Sequence, residues 1–148
     1  MHLRWTLGLT LAICITAQAQ SHVEYAGGTI RTIGTGVGGS LDLSDDHYLA
    51  FYSKKSNLRV PYSQINLVEY GQQVDRRIAL AIIISPLFLV TKSRKHFLTV
   101  GYTDEDGKQQ ALVFQVDKSN IRTTLVSLEA RTGRRIEYQD EEARKAGK

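Results

Sequence analysis

The stretch HFLTVGYTDEDGKQQALVFQV, residues 96–116, decides the fold class. Phe97, Thr99 and Gly101 alternate with Leu98, Val100 and Tyr102, and the same two-residue period resumes in QQALVFQV, residues 109–116. A period of two sends successive side chains to opposite faces, so each arm predicts a β-strand. Between the arms, Asp106-Gly107 supplies the positive φ that a tight turn needs. The stretch therefore predicts an antiparallel hairpin.

Upstream, the chain from Thr29 to Asp117 reads as short strands separated by turn residues, a spacing that favours an antiparallel sheet or barrel. GTIRTI (28–33) carries β-branched residues at alternate positions and is followed by the glycine cluster 34–39. SLDL leads into the acidic turn SDDH, YLAFYS (48–53) predicts a strand, and KKSN (54–57) predicts another turn. In LRVPYSQINLVEY (58–70), Pro61 lacks an N–H and restricts its stretch to an edge or a strand end. Downstream the period changes: Ile121, Leu125 and Leu128 fall at i, i+4 and i+7 with Val126 beside them. That spacing predicts an amphipathic helix closing one opening of the sheet, with Asp117 or Ser119 at its start and Gly133 at its end. The remainder, residues 139–148, is charged and unpatterned, and a disordered tail is expected there. Ile136 and Tyr138 offer a short extended contact before it.

A strand meander followed by a capping helix, with Leu49, Phe51, Val60, Pro61, Tyr62 and Ile65 set around two successive turns, the hairpin 96–116, and Leu125 and Leu128 on the helix, resembles the pleckstrin-homology-like domains, including GRAM-type and bacterial PH-like members. The resemblance covers residues 20–138 and implies a small antiparallel barrel, mainly β with a C-terminal α-helix, that binds rather than catalyses. Inositide-binding members carry a basic pattern across the first hairpin. Here RTIGTGVGGSLD contributes only Arg31, so the resemblance does not extend to inositide recognition.

The N-terminus predicts a signal peptide over residues 1–19: Arg4 supplies the positive region, TLGLTLAICIT (6–16) the apolar region, and Ala17-Gln18-Ala19 the cleavage site. Lipidation at Cys14 would need a small residue where Ile13 stands, and the segment is short for an uncleaved anchor. Cleavage removes the single cysteine, so thiolate and disulfide chemistry leave the mature chain. It also removes Arg4 and no acid, lowering the net charge of +4 by one. Such a mild balance excludes nucleic acid as the expected partner. The chain has 148 residues, 42% hydrophobic and 23% charged, which suits one globular domain of exported protein, in the periplasm or cell envelope.

Catalytic and metal constellations are absent from the sequence. Gly34, Gly36 and Gly39 match the spacing of a dinucleotide-binding turn, but strand-like residues follow where that motif requires a helix. His47 beside Asp45 and Asp46, and the trio Asp104, Glu105 and Asp106, sit at turns; a metal site needs three or more converging ligands, and EF-hand spacing fails because no further acid follows at the required offsets. His96 next to Arg94 and Lys95 reads as surface rim. No nucleophile stands with a base, so no catalytic residue, metal or cofactor is expected.

One segment is surplus to a small barrel. Residues 78–90 are apolar, broken only by Ser85-Pro86, and fenced by Arg76 and Arg77 on one side and Lys92, Arg94 and Lys95 on the other. As a helix the run reaches only about 20 Å, short of the roughly 30 Å hydrocarbon core, and basic residues at both ends do not give the one-sided bias of a span. A doubly buried element is one reading. The other, which the surplus of apolar surface favours, is a contact surface formed by Ile78, Leu80, Ile82, Ile83, Ile84, Leu87, Phe88 and Leu89. The sequence thus predicts a non-enzymatic binding module held peripherally on a membrane surface by this apolar insertion. Its alternative is a soluble envelope protein that uses the same segment for homo-oligomerisation or a protein partner.

Overall fold

The computed structural model describes residues 20–84 and 95–147. Among the described residues nine strands form one sheet: β1 (Gln20–Gly28), β2 (Val37–Asp42), β3 (Tyr48–Ser53), β4 (Asn57–Pro61), β5 (Ile65–Gly71), β6 (Ile83–Ile84), β7 (His96–Thr103), β8 (Gln109–Val116) and β9 (Glu137–Tyr138). Three helices accompany them among the described residues: α1 (Arg76–Ala81), α2 (Lys118–Thr132) and α3 (Glu141–Gly147). The strand order is β4-β3-β2-β1-β8-β7-β5-β9, antiparallel except where β9 joins β5, with β6 paired to β1 off this path. The sheet folds over itself as a barrel-like sandwich without closing, so β4 and β9 remain edges. Mainly β with a C-terminal helix is the class the sequence predicts; closure into a complete barrel is not reached.

The hairpin of β7 and β8 stands as read, His96 opposite Val116 and Thr103 opposite Gln109, and Gly107 takes φ 77° in its turn. Pro61 ends the edge strand β4, where its missing N–H costs no ladder bond. The first strand differs from the reading: β1 runs over QSHVEYAGG, while residues 29–36 form the connection to β2. Ser21, Val23 and Tyr25 point inward and carry the alternation. Ile30 and Ile33 pack on the core from the loop instead of pairing, and Gly36, at φ 82°, donates its N–H to the Tyr25 carbonyl at 2.7 Å.

The inner faces meet in one core. Leu41, Leu49, Phe51 and Val60 from the first four strands face Val68, Tyr70, Leu98, Val100, Leu112 and Phe114 from the rest. Helix α2 closes the open end with Ile121, Leu125 and Leu128, all at most 1% exposed, while Val126 stays outside at 60%. Its C-terminus is capped by Gly133, in the left-handed region, whose N–H bonds to the Glu129 carbonyl. A buried hydroxyl pair, Ser21 with Thr124 at 2.8 Å, ties α2 to β1.

Where residues 139–148 are expected to be a disordered tail, the described residues 139–147 are ordered. Glu137 and Tyr138 add a parallel rung to β5, and α3 buries Ala143 fully in the main core. The high charge of this segment faces outward, and three small residues in two turns provide the packed side. Gln139 reinforces the join by donating from Nε2 to Glu69 Oε1 at 2.6 Å.

Glu69 is buried on the outer face of β5, and loss of solvation raises its carboxyl above the usual range despite the Gln139 bond. Since the folded-state value lies above the unfolded one, its contribution is most favourable at acid pH and is lost as pH rises through the folded value. Glu69→Gln keeps an acceptor for Gln139 and removes the buried charge. The variant is expected to melt higher than wild type at pH 7 and to show no such gain at pH 4, by thermal denaturation followed with circular dichroism.

Candidate functional site: an apolar strap on the outer sheet face

The apolar insertion begins at a helix cap. Asp75 accepts the Arg77 N–H at 2.7 Å, and its carbonyl takes the Ala79 N–H, which starts α1 after the short connection 72–75 from β5. The helix stops after six residues: Ile82 turns extended at φ −122°, ψ 162°, and β6 follows. In a helix, i and i+4 share a face; in a strand, i and i+2 do. Ile78, Ile82 and Ile84 consequently fall on one side of the segment, and Leu80 and Ile83 on the other.

That division sets the burial. Ile78, Ile82 and Ile84, with Val74, pack on a second small apolar cluster formed by Ala26, Phe97 and Val113 on the outer face of the sheet. Leu80 and Ile83 project to solvent, 80% and 54% exposed. Arg76 and Arg77 are exposed at the start of the strap. Leu87, Phe88, Leu89, Lys92 and Arg94, together with the Ser85-Pro86 break, lie outside the described residues. Lys95 is half-buried and enters β7. The apolar surplus read from the sequence thus divides: three of its described isoleucines cover the sheet, and two side chains do not.

Gly27 admits the strap. Beside a bulge between Tyr25 and Gly27, β6 pairs Ile84 with Gly27 and Ile83 with Gly28. A Cβ at position 27 would run into the Ile83 carbonyl and come within 2.8 Å of Ile84 Cα, both backbone atoms that cannot rotate away. Gly27→Val is therefore expected to lift β6 and weaken the fold by about 1–2 kcal/mol. Hydrogen exchange would then speed up at residues 78–84 while β7 and β8 stay protected.

The other positions singled out in the sequence do not assemble into chemistry. Gly34 and Gly36 shape the β1–β2 connection, Gly39 lies in β2 under the Phe51 ring, and strand follows them. Asp45 caps its own turn by accepting the His47 and Tyr48 N–H groups, and Asp46 pairs with Arg131. Asp104 accepts from Gln110 Nε2 and the Lys108 N–H, bonds that hold its carboxyl below the usual value. Among the described residues no three His, Cys, Asp or Glu side chains come together to hold a metal, and no helix is long and apolar enough to cross a membrane.

His96 departs from its reading as surface rim. It is half-buried, stacked on Tyr70 at 5.9 Å between centroids and 7° between planes, with Nδ1 2.6 Å from the Tyr70 hydroxyl. Burial, then the nearby Lys118 ammonium, lowers its imidazole below the ordinary value. It lines a concavity shared with α2 and α3 that sequence reasoning missed, because the contributing cations come from separate helices. The one available signal was Lys118 and Arg122 at i and i+4 on α2.

No protein-family model matches the chain, and no curated protein does either.

Proposed function

We propose that the chain is an exported, non-enzymatic binding module that seats on an anionic membrane surface through the outward side of the strap. One observation carries this reading: Leu80 and Ile83 stand in solvent on a segment whose remaining described isoleucines are packed, with Arg76 and Arg77 exposed at its start. Large apolar side chains beside cations form the complement of an acyl boundary below a layer of phosphates. The resemblance to PH-like domains supports binding over catalysis.

Magnitudes set the balance of forces. Burying Leu80 and Ile83 in lipid is worth about 1.5–3 kcal/mol each. A cation near an anionic surface adds about 1 kcal/mol. The apolar part should exceed the charge part, so salt should weaken the attachment without abolishing it.

Flotation with vesicles of neutral phosphatidylcholine, alone or mixed with an anionic lipid, tests the reading. Expected is flotation on the mixed vesicles that weakens about 30-fold between low salt and about 0.5 M salt, the loss of the two arginine contributions. A concentration-dependent dimer in sedimentation with no flotation would instead assign the strap to self-association.

A further inference from the structure

We infer that the concavity between the start of β7 and helices α2 and α3 is a binding site for a phosphate-bearing ligand, independent of the strap. It has a volume of about 740 Å3, within the range of small-molecule sites. Lys118 and Arg122 from α2 and Lys145 from α3 line it, with the hydroxyls of Ser119 and Thr123 and the half-buried His96. The single carboxylate among the described lining residues, Glu142, accepts from Gln72 Nε2 at 3.1 Å.

Three cations against one acid make an uncompensated cluster. Lys118 and Arg122 are a like-charge pair one helical turn apart, an arrangement that costs a helix stability. Lys145 arrives from a different helix to close the other wall. None of the three hydrogen-bonds or ion-pairs within the described residues. Cations gathered without partners around a concave surface are compensated by an anion. A phosphate group suits this one, because its oxygens accept from a guanidinium, two ammonium groups and two hydroxyls together. The volume exceeds a lone phosphate, which points to a pyrophosphate or phosphomonoester of larger size, free or as a lipid headgroup.

His96 reports on occupancy. The charged and titratable groups around it are Tyr70 on β5, Lys118 and Arg122 on α2, Glu142 and Lys145 on α3, and Lys95 immediately before it. An anion in the concavity screens the Lys118 repulsion, so His96 should titrate at higher pH when the site is filled.

The probes are inorganic pyrophosphate, by calorimetry, and phosphatidylcholine vesicles with and without phosphatidate, by sedimentation. The variants are Lys118→Glu/Arg122→Glu and Lys145→Ala; all three side chains are exposed, and acids are favoured in the first turns of a helix, so folding is kept and a melting curve checks it. Expected is pyrophosphate binding that falls by about 30-fold or more in the double variant and less in Lys145→Ala. With it, NMR should show the His96 titration of wild type moving upward on saturation. Binding to phosphatidate vesicles but not to pyrophosphate, with the same loss in the variants, supports the site and identifies the headgroup as the source. Binding in neither arm, binding that the variants leave unchanged, or pyrophosphate binding with an unmoved His96 overturns it. The strap double variant Leu80→Asp/Ile83→Asp should retain pyrophosphate binding, which separates a failure here from a failure of the membrane reading.

Discussion

Replacing Phe114 by alanine is expected to cost about 3–5 kcal/mol of stability. Phe114 is fully buried, with ring centroids 5.2 Å from Phe51 and 5.8 Å from Tyr25. Those three residues come from β8, β3 and β1: Tyr25 stands opposite Phe114 on the neighbouring strand, and Phe51 reaches them from β3, two strands beyond β1. Truncation removes the transfer energy of a whole ring, leaves a cavity between the two halves, and breaks two aromatic contacts. Against a typical total of about 5–15 kcal/mol, the variant should melt about 10–20 °C lower, or fail to fold at 37 °C. Val126→Ala is the matched control: its side chain is 60% exposed on α2 and should change stability by less than about 0.5 kcal/mol. Equal effects at the two positions would mean that the sandwich core is misassigned.

The second large effect belongs to the membrane reading. Leu80→Asp/Ile83→Asp removes the two apolar side chains that face solvent among the described residues of the strap and places two acids beside a layer of lipid phosphates. The lost transfer energy is about 4 kcal/mol in sum, before repulsion is counted, or roughly a thousandfold in vesicle affinity. Folding should be untouched, because neither side chain contributes to the packed clusters. Vesicle sedimentation and a melting curve on the same sample read the two quantities separately. A variant that melts like wild type and still binds anionic vesicles with wild-type affinity would remove the strap from the interface.

Local sequence carried the fold wherever a single period decided the burial. The hairpin 96–116 alternates cleanly because both its faces are specified, and its Asp-Gly turn has one conformation that suits it. Ile121, Leu125 and Leu128 carry α2 for the same reason, and Gly133 marks its end. The misreadings arose where a residue serves two purposes. Ile30 and Ile33 look like strand residues yet plug the core from a loop, so β1 was displaced onto GTIRTI and the alternation of Ser21, Val23 and Tyr25 was passed over. The C-terminal segment reads as too polar to pack, but its small residues, Ala143 with Ala146 and Gly147, together with a two-residue rung on β5, dock it.

The strap was legible in part. Its apolar run and its arginines stand in the sequence, and so does the conclusion that a small sheet has more such surface than its main core needs. What composition cannot give is the change of period inside the run, from four in α1 to two in β6. That change turns Ile78, Ile82 and Ile84 toward Phe97 and Val113 and leaves Leu80 and Ile83 outside. The concavity of α2 and α3 was less legible still, since Lys145 is brought beside Lys118 and Arg122 only by the docking of the C-terminal helix.

The most direct test places a reporter on the strap itself. Ile83→Cys, in a chain carrying Cys14→Ser, gives one cysteine for a polarity-sensitive fluorophore. On vesicles containing anionic lipid its emission should shift to the blue and be quenched by lipids brominated in their acyl chains, with both changes smaller on neutral vesicles at high salt. Emission that stays at its aqueous value while the protein is bound to those vesicles would contradict the account.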